Sequence, residues 1–193
     1  MRRWSKFAMG LMFWAAVAQA AAEEMTLRIV PERSEVAFDA TWPFGDFTGT
    51  TKDIKGEVRF DPEDLTKPVT AKVEVNPSTL NTGISGRDKD LRDSMEVERF
   101  PSIQFVSKEI RAGSLSPLDQ VEIPVVISGL MTIHGVERPV EFSGKARLQE
   151  GLLHVEGATA LKMTDYGIKP PAMLFLRVGD EVKVRFRAEA VRK

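Results

Sequence analysis

A chain of 193 residues with 42% hydrophobic and 28% charged residues and a formal charge of −1 has the make-up of one globular domain with a proper core. It contains no cysteine, which excludes disulfides, thiol catalysis and a lipid-modified cysteine anchor. Neither a basic surplus nor a basic stripe with interleaved aromatics is present, so nucleic acid is not an expected partner.

At the N-terminus, Arg2, Arg3 and Lys6 precede an apolar run from Ala8 to Ala18 that ends in Ala18-Gln19-Ala20-Ala21-Ala22. The run is shorter than the about 20 residues of a membrane span, and small residues suited to signal peptidase follow it instead of a charged stop. Residues 1–22 are therefore expected to be a cleaved secretory signal, cut after Ala20 or Ala22, ahead of a soluble exported domain over 23–193. Cleavage after Ala22 removes three cationic residues and no acidic one, leaving 24 Lys and Arg against 28 Asp and Glu.

From there the chain alternates with period two, the signature of half-buried strands. Val36, Phe38, Ala40 and Trp42 alternate with Glu35, Ala37, Asp39 and Thr41; Ile54, Gly56, Val58 and Phe60 alternate with Lys55, Glu57, Arg59 and Asp61, up to an Asp61-Pro62 turn signal. Val69 to Val75 and Ile103 to Phe105 continue on odd positions, and between them Ser85 followed by Asp88 resembles a capping box opening a short helix, a plug or rim element. Val121 to Ile133 takes odd positions, Val140 to Leu148 even, Leu153 to Met163 odd and Val182 to Ala190 even, which puts Lys183, Arg185 and Arg187 on a wet face. Pro170 to Leu176, apolar after two prolines, reads either as a buried strand or as a flap at a barrel mouth. One-sided strands joined by short turns predict an all-β fold, an eight-stranded antiparallel up-and-down barrel with one short helix. A two-sheet sandwich is the rival, disfavoured by the length of Val121 to His134 and Leu152 to Thr164.

An eight-stranded barrel is either packed solid or holds one small ligand. Gly56, Gly129, Gly144 and Gly157 fall on the apolar parity beside Ala71, Ala146, Thr159 and Ala188. Singly, such glycines mark bulges or corners; together they predict an unfilled interior. The expected lining is Phe38, Trp42, Gly56, Val58 and Phe60 from the first strands, then Val73, Phe105, Met131 and Phe142. Gly144, Gly157, Leu161 and Met163 complete it. With no ionisable residue on that parity, such a space suits a hydrocarbon. His134 and His154 are the only histidines, lack partners at ligand spacing and give no metal site. No Gly-x-Ser-x-Gly elbow occurs, and no catalytic residue is expected. Arg87-Asp88 and Asp165-Tyr166 sit off the strands, where they serve either rim hydrogen bonding or contact with a ligand head group. Arg87 is the foremost candidate, because a guanidinium grips phosphate or a quinone oxygen.

Six ordered blocks carry a resemblance across nearly the whole exported domain. They are Ser34-Glu35-Val36-Ala37-Phe38; Gly56-Glu57-Val58-Arg59-Phe60-Asp61-Pro62; Leu80-Asn81-Thr82-Gly83 with Arg87-Asp88 and Leu91; Arg99-Phe100-Pro101-Ser102-Ile103-Gln104-Phe105; Gly129-Leu130-Met131-Thr132-Ile133-His134-Gly135-Val136-Glu137-Arg138-Pro139-Val140; and Thr164-Asp165-Tyr166-Gly167-Ile168. In these the chain resembles the YceI-like family of periplasmic polyisoprenoid-binding proteins with a lipocalin-like barrel. Arg33 stands where the family often has His. The resemblance implies a periplasmic carrier or store that holds an isoprenoid, a quinone tail or a polyprenyl phosphate, in its pore without chemistry and with no covalent cofactor. A membrane protein that donates or accepts the lipid, and a second copy of the chain as a homodimer, are partners it leaves open. The alternative class is an accessory or stress protein whose barrel is a scaffold, acting through its loops on a membrane or electron-transfer partner.

Overall fold

The computed structural model describes residues 24–61, 68–112, 121–173 and 176–192. The expected signal segment and Leu174-Phe175 lie outside these residues. In chain order the strands are β1 (Met25–Ile29), β2 (Glu35–Ala40), β3 (Phe47–Thr51), β4 (Ile54–Phe60) and β5 (Thr70–Val75), followed by helix α1 (Ser85–Ser94). Then come β6 (Ile103–Ala112), β7 (Ile123–Ile133), β8 (Val136–Gln149), β9 (Leu152–Lys162), the short β10 (Ala172–Met173) and β11 (Leu176–Arg177), and β12 (Glu181–Arg192).

The order β1-β4-β5-β6-β7-β8-β9-β12, with β12 pairing back onto β1, closes an eight-stranded antiparallel barrel. This is the barrel expected from the alternation, not the sandwich. Two of its staves are interrupted. β12 pairs with β2 through Val182 to Arg187 and with β1 through Ala190 to Arg192, so β1 and β2 act as halves of one stave. Pro31, in a 3-10 turn at Pro31–Arg33, makes the break, since proline cannot donate to the ladder. Buried Ser34 mends it, its hydroxyl donating to the Val30 carbonyl at 2.7 Å and accepting from the Glu189 amide at 3.1 Å. β3 and β4 repeat the device, and β3 adds to the barrel on β2. The period-two alternation presents β2 as a complete strand and marks neither β1 nor β3.

Two hairpins have two-residue turns with both residues at positive φ, His134-Gly135 (52° and 74°) and Glu150-Gly151 (50° and 79°), the geometry whose twist matches paired strands. α1 forms where expected, but the capping box does not. Ile84 occupies the N-cap without a side-chain bond. Asp88 instead accepts from the Thr82 amide at 2.8 Å and the Thr82 hydroxyl at 2.5 Å. That hydroxyl bond, with the amide's, holds its carboxyl below the usual range despite burial. Among the described residues β10 and β11 pair only with each other, so these two short strands form a separate ribbon and not a stave of the barrel.

On the outer face, Arg185 donates to Asp39 through Nε (3.0 Å) and Nη2 (2.9 Å), and Thr48 donates at 2.6 Å. These bonds, Arg185 first, lower the Asp39 pKa to about 2. A carboxylate depressed in the folded state stabilises fully above its ordinary value of about 3.9 and loses that contribution as the pH falls through about 2. Asp39→Asn is thus expected to cost about 1 kcal/mol at pH 7, solvent screening having reduced the larger nominal figure. The loss should shrink toward zero near pH 2, as read by urea denaturation at both pH values.

An apolar cavity with one polar end

β12 shows why the interior is open. Its even residues point inward, yet Val182, Val184 and Phe186 are only half-buried while Ala188 and Ala190 are buried. Inward side chains that keep accessible surface are facing space, and here that space is a cavity of about 540 Å³. Its wall runs along β9 from Leu153 to Lys162, about 30 Å of extended strand. Phe105, Phe142 and Phe186 form an edge-to-face chain in the wall, with centroids 5.6 and 5.4 Å apart, a favoured aromatic geometry.

The two ends differ in chemistry. Register places Leu153, Ala190 and Phe60 at one end, where Leu27, Phe60, Leu153 and Ala190 pack as a buried cluster. At the other end lie α1, the close of β9 and the 3-10 turn Met163–Tyr166. Every charged residue of the described wall, Arg87, Asp90 and Lys162, belongs to this second end, as do Ser94 and Tyr166. Arg87 is fixed there by bonds from Nε to the Thr82 hydroxyl and from Nη2 to the Thr82 carbonyl, both 2.9 Å, and its guanidinium lies 4.3 Å over the Phe47 ring. That stacking is worth about 0.5–1 kcal/mol at a partly exposed site. The β10–β11 ribbon contributes Ala172 to the wall at its edge, flanked by Pro171 and Val178.

Phe38, Trp42, Val58, Phe60, Val73 and Arg87 line this cavity. So do Phe105, Met131, Phe142, Leu161, Met163 and Tyr166. Gly56, Gly144 and Gly157 do not, which corrects the reading of the glycines as empty volume. Aromatic rings cover several of the inward glycines. A Cβ on Gly157 would stand 2.9 Å from the Phe186 ring and one on Gly49 would overlap Phe38, while one on Gly129 would meet the Val106 carbonyl first and then the Phe105 ring at 2.7 Å. Gly56 is closed off by the Lys72 carbonyl, which a Cβ there would overlap, and by Ile29. A Cβ on Gly144 would collide with the Glu156 carbonyl oxygen, so this glycine serves close strand approach. The open volume comes instead from the spacing of the barrel wall. Val184, Phe186, Leu91 and Met95, outside the expected lining, also line the cavity. The even parity of the last strand already marked Val184 and Phe186, and Leu91 and Met95 share the spacing of one helical face.

His134 lies in the β7–β8 turn, with Nε2 3.1 Å from Glu96 and Nδ1 3.3 Å from the Tyr166 carbonyl, while His154 sits 3.2 Å from Glu189. The His134 bond, with Arg99 adding, keeps the Glu96 carboxyl below its usual range. Both histidines fasten structure. Among the described residues, no group of three or more His, Cys, Asp or Glu is placed to hold a metal ion, and no helix is long and apolar enough to cross a membrane.

A closed antiparallel barrel around an apolar chamber, polar at one end only, defines the class of molecule. The chain belongs to the YceI-like family, whose YceI-like domain model matches residues 27–190. A UPF0312 protein of Pseudomonas syringae pv. syringae is 30% identical over 133 residues, 64% of this chain. The chain spans 64% of the length of that relative. In structure the chain is similar to Burkholderia cenocepacia BcnA (TM-score 0.70, 18% identity, 84% of this chain and 99% of that one). It is also similar to a polyisoprenoid binding domain from Saccharophagus degradans (TM-score 0.69, 15% identity, 88% and 99%).

Proposed function

We propose that this protein is a non-enzymatic carrier or store of a long isoprenoid lipid, exported to the periplasm by a signal over residues 1–22 that is then removed. The observation that carries the reading is the cavity itself, apolar along its length and polar only around α1. Such a wall matches an amphiphile whose hydrocarbon runs toward Phe60 and Leu153 and whose head lies near Arg87. A quinone or a polyprenyl phosphate has that shape, and a guanidinium serves either head as a hydrogen-bond donor. The similar Saccharophagus degradans domain, described as polyisoprenoid binding, supports the ligand class. Export and a membrane protein that supplies or receives the lipid complete the proposal.

The described wall is apolar but for Arg87, Asp90, Ser94, Lys162 and Tyr166 at one end, and we assign the barrel binding and no reaction. Extracting the natively purified protein with organic solvent and weighing the extract by mass spectrometry tests this. One isoprenoid per chain is the expected result. Lipid-free protein from a lipid-replete periplasm would favour a scaffold acting through its loops.

A further inference from the structure

Tyr166 is a wall residue of the cavity and only 3% exposed, and its hydroxyl is buried with no hydrogen-bond partner among the described residues. It belongs to the apolar cluster of Leu80, Met95, Met131, Ile133, Val140 and Phe142. For a cavity that takes only hydrocarbon, this is the wrong residue. A phenylalanine would give the same ring to the wall without leaving a desolvated hydroxyl unpaired, a state that costs more than any ordinary hydrogen bond returns. Burial, with the Asp165 charge adding, raises the phenol above its ordinary pKa. The group is therefore a standing donor throughout the physiological range.

We infer that Tyr166 donates a hydrogen bond to an uncharged oxygen on the ligand, so that the site selects oxygenated isoprenoids, of which a ketone or quinone carbonyl is the fitting kind, over pure hydrocarbons. This inference rests on the isoprenoid reading and narrows its ligand class. The position agrees with the chemistry of the wall, since Tyr166 lies at the polar, α1 end, where the head of an amphiphile belongs. Its neighbours include Met95 and Met131 in the cluster and Met163 packed against it. Their unbranched, adaptable side chains let a ligand oxygen reach the hydroxyl without moving the barrel. Arg87 then remains available for a second oxygen or a charge nearer the mouth, a division of labour between a neutral donor inside and a cation at the edge.

The test compares two probes on the delipidated full domain, a linear isoprenoid ketone and the hydrocarbon of identical carbon skeleton, each displacing a fluorescent polyene lipid. Wild type is expected to bind the ketone about five- to tenfold more tightly. Tyr166→Phe should bind the hydrocarbon as wild type does, lose the preference for the ketone, and melt no lower than wild type. The infrared carbonyl stretch of the bound ketone should lie at lower frequency in wild type than in the variant. A preference that survives in Tyr166→Phe, or wild type binding both probes alike, overturns this inference and leaves the isoprenoid reading intact. Wild type binding neither probe removes that reading and this inference with it.

Discussion

Gly144→Ala is expected to lose about 3 kcal/mol or more of stability, and Gly144→Phe to leave no cooperative unfolding transition. The added Cβ would collide with the Glu156 carbonyl oxygen and stand 2.6 Å from the Gly157 Cα. Both obstacles are backbone of the paired strand β9, where Gly144 and Gly157 sit opposite one another in register. A side chain can rotate away from an intruder, but a ladder strand must shift along with its hydrogen bonds. The cost therefore passes the usual 1–3 kcal/mol of overpacking. Gly157→Ala is the internal control. Its Cβ meets the Phe186 ring at 2.9 Å, with the nearest backbone at 3.4 Å, and a ring can tilt. A loss of about 1 kcal/mol is expected there. Urea denaturation of the three variants decides the matter, and Gly144→Ala within 0.5 kcal/mol of wild type would contradict the close approach of β8 and β9.

Those glycines also show where the sequence stops being legible. Period-two alternation tells which face of a strand a residue occupies, and Phe38, Met131, Phe142 and Leu161 on the apolar parity line the cavity. It does not tell what stands opposite. Phe186 covers Gly157 from the paired strand, Phe105 covers Gly129 across a diagonal, and Phe38 covers Gly49. Each pairing joins residues distant in the chain, so no local pattern reports it. The interrupted staves were hidden for a related reason. Met25 to Ile29 has too few residues to display a period by itself, and it becomes a strand because Leu27 pairs with Val58 on one side and Arg192 on the other. The capping box failed through competition. Asp88 could have served Ser85, but the Thr82 amide and hydroxyl offer it two donors from the preceding segment. Tyr166 was legible as a residue off the strands, and its burial came only with the fold.

Affinity for linear isoprenoids is expected to rise by at least tenfold with each added isoprene unit until the chain fills the cavity, and to be flat beyond that length. Burying one methylene-sized group gains about 0.8 kcal/mol, so a five-carbon unit offers up to ~4 kcal/mol. Ordering of the chain subtracts from this, but a tenfold step requires only about 1.4 kcal/mol per unit. A change of head group, worth one hydrogen bond or about 1 kcal/mol, should then matter less than one unit of tail. The direction of the tail is testable in the same titration. Val58 lines the cavity beside the apolar end, in register with Leu27 on one side and Ala71 on the other, and is half-buried because it faces open space. Val58→Trp fills that end, so the plateau should arrive one or two units earlier while the slope before it is unchanged. Equal affinity for short and long chains would show that the tail is not what the cavity holds. A plateau that Val58→Trp does not move would show that the tail does not extend toward Phe60 and Leu153.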